Sequence, residues 1–138
     1  MQHLHENINA TVCISARNLA TASVIGGPID TRGYGGVEFI VEHGTRSAST
    51  VTVTTTVMES TATTASTFTS VADGDLVGLE TDVSLAAVAI SAGSTSACTK
   101  RIGYKGSKRY VKVKMKASAS TIGGAAAILF DPELAPVA

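Results

Sequence analysis

The chain of 138 residues has no tryptophan, three tyrosines, three phenylalanines, three histidines and two cysteines, and each scarcity removes a class of function. A Ser or Cys nucleophile needs a base, and His3, His5 and His43 are the only imidazoles; no Gly-x-Ser-x-Gly elbow accompanies them. Paired carboxylates that cleave sugars come with aromatic platforms, which six aromatic residues hardly supply. Cys13 and Cys98 do not make a disulfide framework, and both are expected to be small buried hydrophobes in a reducing compartment. The longest apolar runs, residues 85–90 and 125–130, fall far short of the roughly 20 residues that cross a bilayer, so no membrane partner is expected. Eleven Lys and Arg balance eleven Asp and Glu, where a nucleic-acid coat needs a basic excess. The first residues, Met-Gln-His-Leu-His-Glu, lack the basic and apolar regions of a signal peptide, and synthesis in the cytoplasm is expected.

What is present is small or β-branched. Ala, Thr, Ser, Val and Gly fill 79 of the 138 positions, a mix that suits pleated, half-buried strands better than helices. In residues 36–43, Val37, Phe39 and Val41 alternate with Glu38, Ile40 and Glu42, which predicts a strand with the first set inward. Residues 51–57 place Val51, Val53, Thr55 and Val57 on one face and three threonines on the other. The cleanest alternation puts Val111, Val113, Met115 and Ala117 inward and Tyr110, Lys112, Lys114 and Lys116 outward. Further strands are expected at residues 11–16, 22–25, 66–71, 83–90, 99–105 and 124–130, separated by Gly-rich and Asp-Gly turns. Residues 85–90 have some helical propensity but are too few and too poorly flanked for a helix. The expected fold is all-β: a jelly-roll-like β-sandwich of about eight antiparallel strands over residues 21–138, preceded by an extended N-terminal arm over residues 1–20.

Charge is balanced overall and unbalanced locally. Residues 47–99 contain no Lys or Arg but hold Glu59, Asp73, Asp75, Glu80 and Asp82, whereas residues 100–116 hold eight cations and no acid. Such a dipolar chain either docks in a fixed orientation or neutralises itself where the two stretches meet in the fold. The basic strand, with Lys108, Arg109, Tyr110, Lys112 and Lys114, has one aromatic and so suits protein docking, or defence of an exposed strand edge, better than a nucleic-acid track. Within it Arg109 is the preferred contact, because a planar fork engages a carboxylate at two points. His43, next to Gly44, is expected to be a solvated turn histidine. His3, His5 and Glu6 read as a tail, and Asp73-Gly74-Asp75 with Glu80 and Asp82 as an acidic turn without the calcium-loop spacing. Gly33-Tyr34-Gly35-Gly36 leads into a strand and therefore offers no helix N-terminus to a phosphate. Neither a metal, a cofactor nor a catalytic group is expected.

Three segments carry a resemblance: Pro28-Ile29-Asp30-Thr31-Arg32-Gly33-Tyr34 running into Gly36-Val37-Glu38-Phe39, Val71-Ala72-Asp73-Gly74-Asp75-Leu76-Val77-Gly78, and Tyr104-Lys105-Gly106-Ser107-Lys108-Arg109-Tyr110-Val111-Lys112-Val113. From about Ile29 onward the chain resembles the small cement or decoration proteins of tailed-phage heads. The resemblance implies a jelly-roll sandwich on the outer surface of the capsid, bridging subunits of the major capsid protein, often as a homodimer or homotrimer at a local symmetry axis. It adds Arg32 and Tyr34 to the expected partner contacts. The alternative is a tail or fibre module, or a carbohydrate-binding sandwich, in which loop Tyr and Asp residues recognise a ligand.

Overall fold

Alternation is converted into two layers. The structure, a computed structural model, describes residues 7–46, 51–83 and 97–133. Ten antiparallel strands form two sheets: β1 (Ile8–Leu19), β2 (Val24–Ile25), β3 (Ile29–Asp30), β4 (Tyr34–Arg46), β5 (Val53–Ser60), β6 (Thr69–Ser70), β7 (Leu76–Val77), β8 (Cys98–Tyr104), β9 (Tyr110–Ala117) and β10 (Thr121–Pro132). The first sheet runs β1-β10-β4-β8-β7 and the second β2-β9-β5-β6, with β3 pairing beside β2 on the same side of β9. The fold is a β-sandwich, as the alternating pattern predicts.

The inward rows are the expected ones. Val37, Phe39 and Val41 of β4, Val53 and Val57 of β5, and Val111, Val113 and Met115 of β9 are all fully buried and form one cluster between the sheets. Packing at the middle of β10 is tight enough to exclude a side chain at Gly123, where an added Cβ would lie 2.6 Å from Leu19 Cδ1. Leu19, fully buried, therefore reaches the core through space that only glycine leaves open.

Several segments differ from the sequence-based expectation. Residues 1–20 are expected as an extended arm outside the sandwich, with a strand at residues 11–16. From Ile8 onward that segment is extended, as expected, but it is built into the first sheet as β1, paired with β10 from Ile8↔Phe130 to Leu19↔Thr121. Two register shifts, between Val12 and Ile14 and between Ile14 and Arg17, break its period-two pattern, which is why the sequence shows only the short stretch 11–16 of this strand. The strand expected at residues 66–71 is a 3-10 turn (Ala65–Thr67) followed by the two residues of β6. That expected at 83–90 begins in a single helical turn, α1 (Glu80–Val83), and its remainder, with residues 85–90, lies outside the described residues. α1 packs between β5 and β8, where Glu80 Oε1 accepts the Val57 backbone N–H at 2.7 Å, so a carboxylate substitutes for the missing strand partner. Among the described residues, no helix is long and apolar enough to cross a membrane.

The core assignment of β9 has a direct test. Val113→Asp places an unpaired carboxylate in a fully buried position and is expected to lower stability by about 3 to 5 kcal/mol, whereas Lys114→Ser on the outward row costs roughly 0.5 kcal/mol or less. Thermal unfolding of the two variants against the parent chain reads the difference; equal midpoints would overturn the register.

Candidate functional site

The loops after β3 and β8 meet at one end of the sandwich, and most of the expected contact residues gather there. The Thr31 backbone N–H donates to the Arg109 carbonyl at 2.8 Å, and the Thr31 hydroxyl donates to the same oxygen at 3.0 Å, so the two loops are joined as a sheet rung would join them. Arg109 stands over Asp30: Nε lies 3.0 Å from Oδ1 and Nη2 2.7 Å from Oδ2, while Oδ1 also accepts the Arg32 backbone N–H at 3.0 Å. The hydrogen bonds from Arg109 hold the Asp30 carboxyl below the usual carboxylate range, and Asp30 in turn raises Arg109. The guanidinium also lies 4.9 Å from the centre of the Tyr110 ring. The fork expected to seize a partner's carboxylate is thus already closed on a carboxylate of its own chain. Both side chains remain nearly half exposed, so the pair adds little to stability and mainly fixes loop geometry.

Beneath this rim Tyr104 joins the two sheets. Its hydroxyl donates to Glu59 Oε2 at 2.7 Å and accepts the Lys108 backbone N–H at 2.9 Å. Burial, then the Glu59 carboxylate, push the phenol well above its ordinary value, which keeps it a neutral donor. The Lys105 backbone N–H donates to the Asp75 carbonyl at 2.9 Å, so the acidic and basic stretches interlock at this end. Tyr34, at the start of β4, closes the loop after β3 by donating its backbone N–H to the Thr31 carbonyl at 3.1 Å, while its hydroxyl accepts from Asn9 Nδ2 of β1 at 3.3 Å.

The outward row of β9 holds the second correction. Lys112, expected to face solvent or a partner, is 5% exposed, because Phe68 folds over the sheet and sets its ring centre 3.7 Å from the ammonium. A cation capped by an aromatic face is a structural contact, and the aliphatic stem packs beneath it. Lys114 and Lys116 keep the expected orientation, half-buried and exposed respectively, opposite Thr56 and Thr54 of β5. β9 is also not an edge: β2 and β3 flank it on one side and β5 on the other. Lysines there do not guard a free strand edge.

His43 is the residue that sequence reasoning misplaced most. It is 2% exposed inside β4, with Nε2 donating to the Val83 carbonyl of α1 at 2.8 Å. The Thr55 hydroxyl donates to the same carbonyl at 3.3 Å, so strands of both sheets hold the end of α1. The inward parity of Val37, Phe39 and Val41 passes through position 43 and was the available signal; the neighbouring Gly44 suggested a turn instead. Among the described residues, the Nδ1 atom has no hydrogen-bond partner. An open hollow of about 390 Å³ beside the ring is also lined by Glu42, Cys98, Gly123 and Gly124. Among the described residues, no group of three or more His, Cys, Asp and Glu side chains is gathered to hold a metal ion.

No family model matches the chain, and no curated protein matches it. Among the solved structures that match it are two of different kinds. The crystal structure of the PBSX exported protein XepA superposes with a TM-score of 0.57 at 13% identity, covering 97% of this chain and 40% of that one. The chain therefore spans less than half the length of that neighbour, and at this identity the likeness shows the fold alone. A Bacillus endospore appendage from a family of disulfide-linked pili gives a TM-score of 0.37 at 11% identity, over 91% of this chain and 89% of that one.

Burial lowers the His43 pKa below its usual 6.5, with Lys100 and Arg46 adding to the shift against the Val83 hydrogen bond. The unfolded chain therefore binds a proton near pH 6.5 that the folded chain resists, so this contribution to stability is full above that pH and is lost as the pH falls below it. Denaturant unfolding at about pH 7.5 and about pH 5.5 is expected to show a drop that shrinks in His43→Gln, even if that variant is less stable at both values. An identical drop in the two proteins would place the titration elsewhere.

Proposed function

We propose that this chain is a non-enzymatic structural protein of a phage particle, made in the host cytoplasm, which sits on the outer surface of the head and bridges neighbouring subunits of the major capsid protein. The observation that carries the reading is the position of Lys114 and Lys116 on the outward face of β9, a strand held on both sides by sheet pairing. On a central strand their two cations stand in fixed places on one docking face. The threonines of β5 beside them supply hydroxyls for a polar, wet contact. The resemblance of the loop segments to head decoration proteins supports the reading, as does a fold shared with a phage-derived exported protein. Cementing needs no reactive group. It needs moderate contacts repeated over a lattice, so that parting two shell subunits also breaks the bridge between them.

The shell face that suits these lysines is acidic. Binding to cement-free heads should weaken as salt rises, since charges exposed before docking are screened over about 8 Å at physiological ionic strength. Reversing Lys114 and Lys116 together to Glu is expected to cut affinity at least tenfold at low salt, because it apposes like charges as well as removing attraction. Both side chains stand on the outward face, so the fold should persist, with the thermal midpoint as the control. Head occupancy indifferent both to salt and to the double reversal would reject this face as the docking site.

A further inference from the structure

The second sheet shows lysines to the outside; the first shows hydrocarbon. On the outward side of β10 stand Ile122, Gly124, Ala126, Ile128 and Phe130, a row without a single polar side-chain atom. The register sets Ala10 and Val12 of β1 beside it on one side and Ile40 of β4 on the other. Val12 is 65% exposed, Ile122 48% and Phe130 40%. A strand apolar on both faces is the pattern of strands covered on both faces, yet among the described residues only the inward face of β10 has a sheet packed on it, while on the outward side the β1 backbone at Ile14 and Ala16 reaches over Gly124.

We infer that the outward face of the first sheet, centred on β10, docks a second copy of this chain, face to face, about a two-fold axis that runs along β10 and passes close to Ala126. The three strands that overlap, β1, β10 and β4, at about 4.8 Å by roughly nine residues at about 3.3 Å give a footprint near 430 Å² in projection, the size of a small, reversible interface once its corrugation is counted. Charge favours a copy of the same face. Its acids, Glu38 and Glu42, lie on β4, level with Ala10 and Ala16 of β1. The axis along β10 brings β4 of one copy over β1 of the other, so each glutamate faces an alanine and not its own counterpart. The same operation sets Val12 over Ile40 and leaves Arg101 of β8, whose side chain is 80% exposed, at the rim. An apolar centre with a charged rim is the ordinary anatomy of such an interface. Gly36 helps to keep the face flat: the Phe130 ring lies across it, 2.5 Å from where a Cβ would stand. A dimer of this kind carries its two lysine faces on opposite outer sides, so its test is independent of head binding.

Sedimentation equilibrium of the full chain is expected to show a reversible dimer. Val12→Lys and Phe130→Lys, both at exposed positions, are each expected to weaken it at least tenfold with little change in thermal midpoint, while Thr54→Lys on the other sheet leaves it unchanged. In a Cys98→Ser background, Ala126→Cys is expected to give covalent dimers with a short bismaleimide, because the axis sets that residue against itself. A monomer at every concentration, or a dimer indifferent to both lysine substitutions, overturns the inference. So does a dimer that Ala126→Cys fails to link. A monomer whose Val12→Lys and Phe130→Lys variants lose head binding assigns the face to the shell instead.

Discussion

Everything in the first sheet depends on β10 being narrow. It lies between β1 and β4 and pairs with both along nearly its whole length, and its central residues are Gly123, Gly124, Ala125, Ala126 and Ala127. Small inward side chains there leave room for Leu19 and Phe39 to fill the core, both fully buried. A larger residue at Gly123 would meet the Leu19 side chain, which would have to give up its packed position. The N-terminal segment is thus part of the sandwich because β10 is thin enough to let it close.

The same constraint explains what the sequence did and did not disclose. β9 was legible because its partners on both sides lie flat and its parity never breaks, so Val111, Val113 and Met115 were placed by counting alone. β1 was legible only as a short strand over residues 11–16, because two register shifts erase its alternation beyond that, and pairing to β10 is a long-range fact that local pattern does not carry. Lys112 shows the limit of parity: its face was read correctly, but Phe68 arrives from a turn more than forty residues away and covers it. His43 failed in the opposite sense. Parity placed it inward while composition, a histidine before a glycine, suggested solvent, and in the folded chain burial won because the Val83 carbonyl offered it a hydrogen bond.

The contact residues chosen from sequence divide by what the fold asks of them. Arg109 closes on Asp30, which also holds the Arg32 backbone, and so spends its directional capacity on joining two loops. Tyr104 does the equivalent beneath it by tying Glu59 of one sheet to the loop after β8 of the other. These polar groups look like recognition elements in one dimension because arginine, tyrosine and aspartate are what interfaces use. In three dimensions they are the clasps of an end of the sandwich, where backbone groups run out of strand partners and side chains must supply them.

What remains for partners is then decided by the two outer faces, and their chemistry differs in a way that assigns them different tasks. A face of lysines attracts acidic surfaces from a distance but gains little from each exposed contact, so it suits a weak bond repeated across a lattice. A face of Val12, Ile122, Ile128 and Phe130 has no reach and no directionality; its gain comes only from excluding water over a well-fitted area, which suits a neighbour of matching shape. A second copy meets that requirement without any further chain having to match, since an isologous contact needs only one surface to be shaped. Under the two proposals, the unlike faces divide the labour: association through hydrocarbon comes first, and docking through charge follows, of an object that already carries two cationic sides.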